Sequence, residues 1–337
     1  MRPSVRSASA IALAILALTP HSSAEGVHIV GAPGLGPFDE LQQAVDAAAP
    51  GDTLLVAGGQ YAAFTIAGKA LFVRAAPGQV VRVHGPVVVR DLAPAQVVVL
   101  AGLTVDAPAP SAPVPEGLPA LVGLDIAGHL RLEDCSLRAA SGFPAPFTGT
   151  SFGAGGDGLR LVDCAQVGLL GCTLAGGAGG GASQGASVDA GGRGGAGVRA
   201  SGATRLALHE CDLRGGAGGS SLGSGGDGGH ALWLQGQGAF AAGGVLLGGS
   251  GGHALGTDCS RPPGNGGHGV HIGAVTETQS KGASFAGGSP GLGLTCGGSG
   301  APGEPTAGPG LFVPFAELPR VLEADAVVLA TGGYGNA

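Results

Sequence analysis

An internal repeat, partly hidden beneath glycine, constrains this chain more than any other feature. GLRLVDCAQVGLLGCTLAGG from Gly158 and GVRASGATRLALHECDLRGG from Gly197 are its cleanest copies, and ALWLQGQGAFAAGGVLLGG from Ala231 and GVHIGAVTETQSKGASFAGG from Gly269 keep the same frame. A fixed count of 14 residues leads from each start to a central position, so Cys172, Cys211, Val245 and Ala283 fall in register, while a copy from Gly123 reaches Cys135 in 12. Around that position the residues at −5, −3, 0 and +2 are apolar, as in Leu206, Leu208, Cys211 and Leu213. Val98, Leu100, Leu103 and Val105 obey the rule, as do Leu130, Leu132, Cys135 and Leu137, and Val167, Leu169, Cys172 and Leu174. Two short strands meeting at a bend explain such spacing, because a half-buried strand alternates inward and outward side chains. A third strand opens each unit with the pairs Leu124/Ile126, Leu159/Leu161, Val198/Ala200, Leu232/Leu234, Val270/Ile272 and Leu292/Leu294. Three strands per turn of about 20 residues predict an all-β solenoid in which each coil buries its inner row on the next.

The units start 34 to 39 residues apart, which leaves each coil an insertion at one corner. These insertions are the Gly-rich stretches near 139 to 157, 177 to 196, 216 to 229, 249 to 268 and 287 to 310. Their composition is compatible both with disorder and with close packing of small residues. The chain holds 71 glycines and 23 prolines in 337 residues, but 44% of it is hydrophobic, which argues against disorder throughout. No strict Gly-X-Y period runs through it, excluding collagen, and charged residues at 12% with aromatics at 4% argue against a coiled coil or ordinary helical bundle.

The chain opens with Met1-Arg2-Pro3-Ser4-Val5-Arg6, an apolar run from Ala8 to Leu18, and a polar stretch ending Ser22-Ser23-Ala24. This reads as a secretory signal peptide over residues 1–24, predicting an exported protein at the cell surface, in the periplasm or outside the cell. No apolar run reaches the roughly 20 residues of a transmembrane helix. Loss of Arg2 and Arg6 takes the formal net charge from −7 to −9, with Lys69 and Lys281 the only lysines, which disfavours a nucleic-acid partner. In residues 25–50, Phe38, Leu41, Ala44, Val45 and Ala48 fall at helical spacing, with Asp39 and Glu40 at the start and Pro50-Gly51 at the end. This short helix is expected to cover the open end of a solenoid occupying residues 51–300, with 301–337 closing the far end.

The segment LQQAVDAAAPGDTLLVAGGQY from Leu41 to Tyr61, together with the coils quoted above, resembles the right-handed parallel β-helix proteins of the pectin-lyase-like superfamily. The resemblance spans roughly residues 38 to 300. It implies a β-helix with three strands per coil, and a family range running from polysaccharide lyases and hydrolases to proteins without known activity.

The polar residues of the coils are candidates for chemistry. Lyases of that superfamily use calcium held by several carboxylates with an Arg or Lys base. The acidic candidates here are Glu133 and Asp134 in one coil, and Glu210 and Asp212 beside His209 two coils later. At about 4.8 Å per coil the clusters stand about 10 Å apart, too far for calcium bonds of about 2.4 Å to bridge and near the upper limit for a glycosidase pair. Solvated polar residues at a bend are the simpler reading. His230, His268 and Asp157 share the position just before a unit start, but metal binding by the two histidines lacks an identifiable third ligand. The stretches Gly155-Gly156-Asp157-Gly158 and Gly225-Gly226-Asp227-Gly228 lack the further Asp of calcium-binding nonapeptide repeats. Trp233, on the outward place between Leu232 and Leu234, is the aromatic best placed to stack on a ligand. A threonine array for ice binding is not supported, since the outward +1 row reads Thr104, Ser136, Thr173, Asp212, Leu246, Ser284.

Cys135, Cys172 and Cys211 share one inward position and read as core filling. Cys259 and Cys296 lie in successive insertions and are the candidate disulfide. No resident metal or cofactor is assigned. The sequence thus favours a non-catalytic structural, adhesive or surface-binding role toward polysaccharide or cell-surface components, with a polysaccharide lyase or glycoside hydrolase of atypical acidic site as the alternative.

Overall fold

The computed structural model describes residues 26–31, 37–110, 116–143, 153–181, 190–256, 261–273 and 277–293, with the backbone of 306–307 and 313–314. The signal-peptide segment, the Cys259–Cys296 pair and most of the closing segment lie outside the described residues. The described chain is all-β apart from the helix Leu41–Ala47, and its strands form a 14-stranded and an 8-stranded sheet. Strands pair in parallel with their equivalents one coil away, as Leu159–Leu170 does with Val198–His209 and that strand with Leu232–Ala242. The architecture is a parallel solenoid. Each central coil consists of a long strand bent at a corner, then a three-residue strand such as Thr173–Ala175 in the second sheet. Inward rows such as Leu100, Leu132, Leu169, Leu208 and Ala241 run the length of one continuous apolar core.

Both corners adopt left-handed backbone, and this selects their residues. One corner carries Gly102, Asp134, Gly171, Glu210, Gly243 and Gly282, with φ between 50° and 69°; the other carries Gly68, Asp91, Asp125, Asp163 and Gly202, with φ between 51° and 69°. Glycine enters this region without strain, and Asp is among the side chains that tolerate it best. The acids at these bends therefore answer first to backbone geometry.

Single-residue length changes at the corners alter the register expected from the repeat. Ala203 and Thr204 in one coil face only Gln237 in the next, so the register moves by one and Asp212 pairs with Val245. Gly244, not Val245, follows Cys211; Val245 points outward at 38% exposure and Leu246 is buried. In the first long strand, Leu121 and Gly123, rather than Leu124 and Ile126, oppose Leu159 and Leu161: that coil carries one extra residue between Ile126 and His129, so it is one residue longer than the next and not two shorter, and the opening pair lies three residues earlier. Leu292 opens no coil: it is 48% exposed, and the strand that continues the ladder past Val270–Ile272 is Thr306–Ala307.

The Gly-rich insertions form a second architecture. In their described parts each leaves the coil as one straight segment and returns as another, and the segments stack into two layers. In the outgoing layer Gly176 N–H donates to the Arg214 carbonyl (2.9 Å) and Gly179 to Ala217 (2.8 Å). In the returning layer Gly194 donates to Asp227 (2.9 Å) and Gly228 to Asn265 (2.8 Å). A third set zigzags between layers, Gly249 to Gly229, Gly229 to Gly216, Gly216 to Gly195 and Gly195 to Gly177, at 2.8–2.9 Å. Donors recur every third residue, the repeat of a polyproline II helix and not of a strand. Gly-Gly-x is the matching sequence period, as in Gly215-Gly216-Ala217-Gly218-Gly219-Ser220. The segments approach so closely that a methyl group on Gly216 would lie 1.9 Å from the carbonyl oxygen of Gly177, its equivalent one coil back, and one on Gly215 would lie 1.9 Å from the Gly229 carbonyl oxygen in the facing layer.

The helix Leu41–Ala47 packs its buried Leu41, Ala44 and Val45 on the first coils. Lys69 Nζ donates to the Val45 and Ala48 carbonyls at its C-terminus, where a cation complements the helix dipole. Beside it, buried Asp52 accepts hydrogen bonds from His28 Nε2 (2.8 Å), Gly26 N (2.7 Å) and Ala49 N (2.8 Å). The His28 hydrogen bond outweighs the cost of burial and holds the Asp52 carboxyl below its usual range.

Two stability predictions follow from this packing. Gly216→Ala should cost about 2 kcal/mol or more through overpacking, whereas Ala217→Ser, one residue along on the outer surface, should stay within about 0.5 kcal/mol in denaturant titration. Because the folded pKa of Asp52 is lowered, its contribution is present above the ordinary carboxylate value of 3.8 and is lost as pH falls through the folded value. Asp52→Asn should therefore melt below wild type at pH 7, and the gap should close as the solution is acidified.

Candidate functional site

The acidic residues singled out by sequence do not converge. Glu133 is held in ion pairs with Arg131 (2.6 Å) and Arg74 (3.8 Å) on its own sheet face. Its ladder continues through Leu170 to His209, and the corner row sets Gly171 between Asp134 and Glu210, so two coils separate the groups. Asp212 lies around the bend in the second sheet, paired with Thr173 and Val245. These residues form solvated edges and a local ion pair.

The polar density lies elsewhere, along the seam where the returning glycine layer re-enters the long strands. Residues just before each strand form one row, Asp157, Ala196, His230 and His268, and the outward residues of the strands form a second, Arg160, Arg199, Trp233 and His271. Both rows follow from the coil stacking, which brings equivalent positions of successive units side by side.

Asp157 is the centre of the first half. It is fully buried, and its carboxylate accepts from Arg160 Nε (2.9 Å) and a second Arg160 nitrogen (2.8 Å), from Arg199 Nε (2.7 Å) and from Ala196 N (2.9 Å). Glu116 closes on Arg160 from the preceding coil. Burial disfavours the Arg160 cation, yet Asp157 and Glu116 outweigh it and raise its pKa further. Arg199 passes from Asp157 onto Trp233, with its guanidinium carbon 4.5 Å from the ring centroid, a cation–π contact. Trp233, the expected stacking aromatic, is thus covered on one face by Arg199.

Three histidines make the second half. The rings of His230 and His268 lie 5.0 Å apart, His230 and His271 4.7 Å, and His268 and His271 5.6 Å, with planes within 18° of parallel. The His268 N–H points at His230 Nδ1 (3.0 Å), and an Arg193 guanidinium nitrogen lies 2.8 Å from His230 Nε2. Burial, reinforced by Arg193 and the neighbouring rings, pushes the His230 pKa down to about 3 and lowers that of His271. Both imidazoles are therefore neutral at pH 7. Among the described residues these three form the one group whose side chains could hold a metal ion.

Sequence reasoning found Trp233, Asp157, His230 and His268 separately but missed Arg160 as a partner of Asp157, and missed Arg199 and His271 altogether. The signal was available: the residues two after each start, Arg160, Arg199, Trp233 and His271, are equivalent. All four described cysteines are buried free thiols. Cys135, Cys172 and Cys211 stack in one row; the hydrogen bond to Cys135 pushes Cys172 up to about 12 and lowers Cys135, and burial pushes Cys164 up to about 12.

No family model matches the chain, and no curated protein does. Among solved structures, one similar chain is a springtail antifreeze protein from Granisotoma rainieri, a bundle of nine polyproline type II helices, at 22% identity over 61% of this chain and 96% of that one. Its TM-score of 0.13 assigns neither fold nor function.

The buried carboxylate gives the site a direct test. Asp157→Asn should leave two guanidinium groups short of their partner and cost about 3–5 kcal/mol in equilibrium unfolding, several times the effect of Asp227→Asn on the exposed face of the same layer.

Proposed function

We propose that this chain is an exported right-handed parallel β-helix of the pectin-lyase-like kind, with three strands per coil, that acts as a non-catalytic scaffold adhering to a flat solid surface such as insoluble polysaccharide of a cell wall. The observation that carries this reading is the outer face of the outgoing glycine layer. There Ser141, Ala178, Ala217, Ser250 and Ser289 form a row, one small uncharged residue per coil, repeating at the coil spacing of about 4.8 Å. Its backing is two hydrogen-bonded layers without side chains between them, so the face is flat and stiff. A flat partner can lie on such a face with little ordering cost. The catalytic alternative is less well supported, because the carboxylates on the sheets are either ion-paired or two coils apart.

The test is retention of the untagged protein on insoluble polysaccharides, with soluble sugar release measured in the same tubes, with and without calcium. Retention without release is expected, and Ala178→Lys combined with Ala217→Lys should reduce the bound fraction at least tenfold while melting stays unchanged. Release of soluble products that disappears in Glu133→Gln would establish the enzyme instead.

A further inference from the structure

We propose that His230, His268 and His271 form a binding site for one late first-row divalent metal ion, of the zinc or cobalt type. This inference is independent of the adhesive role.

The three rings come from rigid parts of the fold. His230 and His268 occupy equivalent positions of successive coils, where the returning glycine layer meets the strands, and His271 follows His268 by three residues on Val270–Ile272. One ring nitrogen from each lies within 4.8 Å of the other two. Zinc–nitrogen bonds of about 2.0–2.1 Å in a tetrahedral site place ligand atoms about 3.4 Å apart, so closure requires the stacked rings to turn until their lone pairs converge. The χ2 torsion of histidine is soft enough for that.

Two further features point to a missing ligand. The Nδ1 atom of His271 is buried without any hydrogen-bond partner, and a buried nitrogen of that kind calls for an ion or water. His230 faces donors at both nitrogens, the His268 N–H and Arg193. A neutral imidazole has one in-plane lone pair, so only one of these contacts can be a full hydrogen bond. The ring is accordingly not locked, and turning it toward His268 and His271 sacrifices little. Three imidazoles are a ligand set that suits zinc, copper and nickel better than calcium or magnesium. The rings are only partly buried, leaving a fourth position for water or a donor from a bound partner.

Electrostatics identifies what opposes the ion. Arg199 is compensated by Asp157, which leaves the Arg193 guanidinium, against His230 Nε2, as the cation that a metal must displace. Arg193 is exposed and can swing away. Removing its charge should strengthen binding, an effect that a purely packed histidine stack would not produce.

The experiment uses the untagged full chain, stripped with chelator and titrated with Co²⁺, followed by its visible d–d absorption, and with Zn²⁺ by calorimetry. One ion per chain is expected, with affinity falling at least tenfold in His271→Ala and His268→Asn, rising at least threefold in Arg193→Gln, and unchanged in His253→Ala. Circular dichroism accompanies each variant, and His268→Asn, set in a layer that already carries Asn265, serves if the strand variant fails to fold. No binding up to roughly millimolar Zn²⁺, or equal affinity in the folded His271→Ala or His268→Asn protein, overturns the site.

Discussion

The close approach of backbone to backbone across the glycine layers is the contact on which the rest of this structure depends. At Gly155, Gly194, Gly215 and Gly228 a carbonyl oxygen of the facing layer lies 1.8–2.0 Å from where a Cβ would stand. Only a residue without that atom lets the N–H reach its acceptor, so the hydrogen bond and the absence of a side chain are one requirement. The usual weakness of glycine, the entropy lost on ordering it, is offset by donors satisfied at both glycines of each triplet, one bonding within its layer and the other across to the facing layer. The β-coils supply what such layers could not supply alone. Their parallel ladders set one spacing for all successive insertions, and their core holds that spacing with rows of buried Leu and Val.

That coupling explains where the polar seam lies. Each returning segment must re-enter its long strand at the same height, so the last slab residue and the second strand residue of every coil become neighbours of their equivalents. Asp157 occupies this place in one coil and reaches Arg160 in its own unit and Arg199 in the next. A carboxylate with no exposure costs stability unless it is fully paired, and four donors meet that demand. The same stacking brings His230, His268 and His271 together without any local motif to announce them.

The sequence disclosed the coils because their inward rows are apolar at fixed spacing, and the row of Cys135, Cys172 and Cys211 lies as that spacing required. It misled where a corner gains or loses one residue. Gln237 standing opposite Ala203 and Thr204 moves Val245 outward, and no pattern of hydrophobicity distinguishes that deletion from an intact unit, since Val245 and Leu246 are both apolar. The glycine layers were legible in a different way. Gly-Gly-x recurs in each insertion, but it stops whenever a strand intervenes, so a search for an unbroken Gly-X-Y period passes over it. The candidate site was half legible: Trp233 was noticed as outward, and comparing the same place in adjoining units leads directly to Arg199 and His271. What composition could not reveal is that Asp134 and Glu210 sit at bends whose left-handed backbone governs the choice of residue.

The threefold repeat also limits where this protein can encode anything specific. Of each Gly-Gly-x triplet, one residue faces the other layer and admits no side chain, and one donates within its own layer against a close neighbour. Only the third is free to vary. In the outgoing layer that residue is Ser141, Ala178, Ala217, Ser250 or Ser289; in the returning layer it is Ala154, Arg193, Asp227 or Asn265, and three residues on Asp157, Ala196, His230 or His268. The two faces of one slab thus differ in character, smooth and uncharged on one side and polar on the other, although their backbones obey the same rule. Selection acting on such a fold has one position in three to work with. A concentration of Asp, Arg and His at those positions on a single edge therefore carries more information than the same residues would in an ordinary loop.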